Sequence, residues 1–132
     1  METKEIKHEV EFNATPTQVY EALMNAEIHG DITSANADIE DKEGYSFSIY
    51  DSYITGKNIC LEKPLKIIQE WRANEEHWPN DYFSILEITL IQEGNKTKML
   101  FEQKGVPSPH AEDISKGWYE YYWNPMQEYF SD

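Results

Sequence analysis

The chain has 132 residues and 15.5 kDa, with eleven Lys and Arg against twenty-five Asp and Glu, a net charge of −14. That length suits one domain, residues 1–132. Surface scaling gives roughly 7,000 Å² folded against about 22,000 Å² extended, enough burial for one sizeable core. An aromatic content of 14% excludes a solvated, disordered chain.

The acidic balance argues against nucleic acid and against an anionic membrane surface. Both need clustered cations, and Lys57, Lys63, Lys66, Lys96 and Lys98 are scattered. Apolar runs stop at five residues or fewer, far short of the ~20 of a membrane helix. The N-terminal residues are charged and form no signal-peptide core, and Cys60 has no second cysteine to pair with. These features fit a cytoplasmic chain.

In chain order, Ile6, His8, Val10 and Phe12 alternate with Lys7, Glu9 and Glu11, the period of a half-buried strand. Thr15-Pro16 then predicts an N-cap with proline at the first helical position. Val19, Tyr20, Leu23 and Met24 recur at helical spacing, so residues 16–24 form a short helix. His29-Gly30 marks a turn or a second short helix. Strands are expected at 45–50, 54–61, 66–72, 83–91 and 97–104, with Ala37 and Ile39 preceding the turn at 42–44. Gly56 suggests a bend or bulge. The two prolines of 105–109 are expected to end the sheet.

Residues 111–130 read as one long helix with Ile114, Trp118, Tyr122, Pro125 and Tyr129 on a single stripe. Tyr119, Trp123 and Phe130 flank it, so the apolar arc is roughly 200° wide, against the ~100° that covers a core. Pro125 is expected to kink the helix. Strand, short helix, antiparallel strands and long C-terminal helix make an α+β pattern.

The blocks Gly44-x-x-Phe47, Tyr53 to Asn58, Ile67-Ile68-Gln69-x-Trp71-Arg72, Trp78-Pro79, Gly105-Val106-Pro107 and Gly117-Trp118-x-x-Tyr121-Tyr122 resemble the activator of heat shock protein 90 ATPase homologue family. That family belongs to the START-like, helix-grip (SRPBCC) superfamily, and the resemblance runs from about Val10 to Phe130. It implies a curved antiparallel sheet of six or seven strands wrapped around the C-terminal helix, with an internal cavity between them. It also implies that this chain, starting at the first strand, is the stand-alone form. Where the family commonly places His after the Trp-Pro pair, this chain has Tyr82, a phenol of pKa near 10 in place of an imidazole.

Candidate walls of that cavity are His8, Phe47, Ile49, Trp71, Trp78, Tyr82, Leu86, Ile88, Met99, Phe101, Trp118 and Tyr122. An acid or base would have to be His8, Asp51 or Tyr82, and none has a recognisable partner. His29, His77 and His110 show no metal-ligand spacing, and no cofactor signature occurs. Cys60 reads as a packing residue, Asp51 and Arg72 as an ion pair across strands, and Glu40, Asp41 and Glu43 as a solvated turn. The functional expectation is a non-catalytic domain that binds a small apolar ligand. The alternative is a partner that binds a heat shock protein 90 homologue and modulates its ATPase, using the aromatic flank with Trp123 and Phe130. Phe83 and Ile85, opposite Leu86 and Ile88, leave room for a weak dimer beside a monomer.

Overall fold

The computed structural model describes residues 1–131. They expose 7195 Å², close to the area expected for the mass. Seven antiparallel strands form one curved sheet in the order β1-β7-β6-β5-β4-β3-β2. The strands are β1 (Thr3–Phe12), β2 (Ala37–Asp38), β3 (Ser46–Ile49), β4 (Ile54–Glu62), β5 (Lys66–Ala73), β6 (Ser84–Glu93) and β7 (Lys96–Pro107). Two short helices, α1 (Pro16–Met24) and α2 (Ala26–Thr33), follow β1. The C-terminal helix is α3 (Ser108–Trp118), a π-helical turn (Tyr119–Trp123) and α4 (Asn124–Tyr129), without a break between them.

Local chemistry explains the boundaries. Thr15 caps α1 through a capping box: its hydroxyl accepts from the Gln18 amide, and the Gln18 side chain accepts from the Thr15 amide. Asn25 caps α2 through one side-chain bond, its Oδ1 accepting from Ile28 N–H. The alternation of β1 buries Ile6, Val10 and Phe12.

Three expectations are corrected. Gly56 makes no bulge: it pairs in register with Phe47 and Trp71, and the register shift lies between Asn58 and Cys60. Its reason is a close approach, since a Cβ there would lie 1.9 Å from the Glu70 carbonyl oxygen and 2.5 Å from the Phe47 ring. The last strand also runs three residues past its expected end at Lys104 and stops at Pro107, so the sheet ends within 105–109 as expected. Strand β6 pairs with β7 only as far as Lys104, so the β7 edge beyond faces no neighbour that needs the missing N–H.

The third correction concerns the long helix. The π turn inserts an extra residue ahead of Pro125, with Asn124 N–H bonded to the Tyr119 carbonyl, and so accommodates the missing proline donor. The insertion rotates the stripe that follows. Trp123, expected on an exposed flank, is fully buried, and Met126 is buried behind it. Tyr129, expected on the buried stripe, is 52% exposed. Trp118 and Trp123 stack at 5.3 Å and both meet Phe101 of β7, so the helix lies against the sheet through an aromatic seam.

Candidate functional site

The seam carries a chain of buried donors and acceptors. Trp118 Nε1 donates to Gln103 Oε1 at 2.9 Å, Gln103 Nε2 to Ser84 Oγ at 2.9 Å, and Ser84 Oγ to the Trp71 carbonyl at 2.8 Å. Each atom is satisfied, so the network fixes the helix over the sheet rather than presenting a reactive group.

On the α1 and α2 side of Trp118 and Tyr122 the space between sheet and helix is reduced to a small void. It measures about 20 Å³ and is bordered by Met24, His29, Ile49, Ile67, Ile88, Trp71, Trp118 and Tyr122. That is room for about one water. A larger cleft of about 630 Å³, within the range of small-molecule sites, opens at the end of the sheet beside α3. Its walls are Tyr50, Tyr53, Ile54, Trp71, Glu75, Pro109, His110, Asp113, Ile114, Gly117, Trp118, Tyr121 and Tyr122. A shallower depression of about 920 Å³ on the α2 side of Tyr50 is walled mainly by short side chains such as Ala26, Gly30, Ser34 and Asn36, which offer little surface to grip a ligand.

Of the sequence candidates, Trp71, Trp118 and Tyr122 border both the small void and the cleft, while Ile49 and Ile88 border the void alone. Leu86, Met99 and Phe101 are core residues, and Phe47 covers Gly56. Trp78 packs on Trp71 at 5.9 Å, and its indole donates to the Tyr82 carbonyl. The Tyr82 hydroxyl donates to the carbonyl of Gly105, the left-handed residue at the bulge of β7. Tyr82 therefore ties a loop to the sheet, a role that needs no titration.

His8 stands beside Ser115 on α3, a pairing that invites comparison with a nucleophile and its base. An indole can only donate, so Trp123 Nε1 at 2.9 Å requires a lone pair on His8 Nδ1. The neutral ring then carries its proton on Nε2 and donates to Ser115 Oγ at 2.9 Å. Oriented so, the imidazole cannot take the serine proton. Burial also holds the His8 pKa down.

The expected Asp51–Arg72 pair is not formed. Arg72 donates instead to the carbonyls of Trp78 and Pro79, clasping the loop before β6. In the acidic turn, Asp41 accepts from the Tyr20 hydroxyl at 2.7 Å and Glu43 from the Leu61 amide, so part of that run is structural. Among the described residues no cluster of His, Cys, Asp or Glu is arranged to hold a metal. No helix there is long and apolar enough to cross a membrane.

The residues that sequence reasoning missed are Tyr50, Tyr53, Glu75, Asp113 and Tyr121. Tyr50, Asp51 and Ser52 are consecutive left-handed residues in the β3–β4 connection, a conformation no alternation pattern encodes. The Tyr50 hydroxyl is buried with no partner in bonding geometry, although the Thr33 hydroxyl lies nearby. The Tyr53 hydroxyl donates to Glu75 across the cleft rim. Burial, then that carboxylate, pushes the Tyr53 phenol well up.

Residues 13–131 match the family model described as Activator of Hsp90 ATPase homolog 1-like protein. The chain belongs to that family. The human Activator of 90 kDa heat shock protein ATPase homolog 1 is 27% identical over 90% of this chain and 35% of its own length. The Dictyostelium discoideum homologue is 31% identical over 88% of this chain and 30% of its own length. The chain thus spans about a third of the curated relatives it matches. The fold is that of the helix-grip proteins. An HSP90 activator from Plasmodium falciparum superposes with a TM-score of 0.89 at 19% identity, covering 95% of this chain and 94% of that one. A Bacillus halodurans protein superposes at 0.75 with 18% identity, covering 99% and 100%.

Proposed function

We propose that this chain is a non-catalytic, cytoplasmic binding domain that engages a heat shock protein 90 homologue and alters its ATPase rate. The observation that carries the reading is the family match over residues 13–131, whose relatives are named as activators of that ATPase. The surface is compatible with a partner: Tyr121 and Tyr129 project exposed from the helix, and aromatic side chains of this kind are enriched where proteins meet. Calorimetric titration with the heat shock protein 90 homologue of the same organism tests it. A saturable heat that falls when Tyr121 and Tyr129 are replaced by serine supports the reading, and no heat at high excess refutes it.

A second reading is a small-molecule site. The 630 Å³ cleft favours it, because six of its wall residues are aromatic and it is of ligand size. The ligand would lie at the end of the sheet beside α3, with Trp71, Trp118 and Tyr122 as the sequence candidates that touch it.

A further inference from the structure

The cleft has a sign. Two carboxylates, Glu75 and Asp113, lie on its wall, and neither Lys nor Arg does. Glu75 accepts from Tyr53, leaving its second oxygen, and among the described residues Asp113 makes no ion pair. His110 is the one wall residue able to carry positive charge, and its Nε2 is bonded to the Glu76 carbonyl. Six of the ten remaining wall residues are aromatic, with faces that attract cations through their quadrupole, and the net charge of −14 adds a field of the same sense.

The floor of the cleft is kept open by a residue with no other structural reason. Gly117 lies inside a helix, where glycine is unfavourable, yet a Cβ there would meet nothing closer than Tyr121 Cδ2 at 3.8 Å. Packing does not demand a glycine at this position; any larger side chain would project into the space that Gly117 borders.

Building on the small-molecule reading above, we propose that the cleft binds an organic ammonium ion with an apolar, ring-sized body. The body lies between Trp71 and Trp118 on one side and Ile114 on the other, and the ammonium group faces Glu75, Asp113 and the partnerless Tyr50 hydroxyl. An anion of the same shape is rejected by the carboxylates.

Three probes of one shape test this: phenethylammonium, 2-phenylethanol and phenylacetate, followed by ¹H–¹⁵N chemical-shift titration with the Trp71 and Trp118 indole signals as reporters. The expected result is that phenethylammonium binds about tenfold tighter than the alcohol, with phenylacetate weakest. In Glu75→Gln with Asp113→Asn the ammonium loses that advantage while the alcohol keeps its affinity. In Gly117→Leu all three probes lose binding, and Gly117→Ala, which keeps most of the space, retains it. If the alcohol or phenylacetate matches the ammonium, or the double variant keeps the preference, the charge assignment falls and the cleft reading stands. If no probe moves the indoles, or Gly117→Leu binds as before, both fall.

Discussion

His29 is a buried histidine whose two nitrogens are committed in opposite senses. Nδ1 donates to the Leu23 carbonyl and Nε2 accepts from the Tyr122 hydroxyl, each at 2.9 Å, so the native ring is neutral with one fixed tautomer. Burial pushes its pKa down, and the Leu23 bond offsets this only in part. In the unfolded chain the same ring titrates near pH 6.5. Above that value neither state holds the proton, and the full stability is present. As the pH falls below it, the unfolded state gains a proton that the native state refuses, so stability is lost with acid. With the native ring still neutral, the loss between pH 7 and 5.5 is about 1.3 kcal/mol, with a slope approaching about 1.4 kcal/mol per pH unit. Urea unfolding of the wild type and of His29→Gln at half-unit steps reads this directly. His8 is lowered in the same direction and contributes equally to both proteins, so the difference isolates His29. Stability curves that run parallel from pH 7 to 5.5 would refute the reasoning.

Gly56→Ala drives a methyl group into the Glu70 carbonyl and the Phe47 ring, and should cost about 2 kcal/mol or more in denaturant unfolding. Gly117→Ala should act the other way, raising stability by about 0.5–1 kcal/mol, because it improves helix propensity where nothing is crowded. Trp118→Phe removes the donor to Gln103 and leaves a buried carbonyl oxygen unpaired, a loss of about 1–3 kcal/mol by thermal or chemical unfolding before the volume change is counted. Thr15→Ala removes one half of the capping box and should cost about 1 kcal/mol.

The regular parts of the fold were legible because each follows one periodic rule. Period two placed Ile6, Val10 and Phe12 inside, and Thr15-Pro16 marked the start of α1 at its observed position. The helix beyond Trp118 was legible only up to its π turn, because a single inserted residue rotates every later side chain, and Trp123 and Tyr129 exchanged environments as a result. Part of the seam network could have been found: Gln103 falls on the same strand face as Met99 and Phe101, and a polar residue on an apolar face calls for a partner. The cleft was harder. Trp71 and Trp118 were read from strand and helix periods, but Tyr50 and Tyr53 reach it through a left-handed connection, and Glu75 sits in the loop after β5. Such placements depend on how segments distant in sequence meet, and no local pattern reports that.

The central proposal is a domain that acts by binding a chaperone. Steady-state ATP hydrolysis by the heat shock protein 90 homologue of the same organism, measured while this chain is titrated from substoichiometric to large excess, addresses it most directly. The account predicts a saturating change in rate, lost in the Tyr121→Ser and Tyr129→Ser double variant. A rate that stays flat across the titration, with the folded protein present throughout, would contradict it.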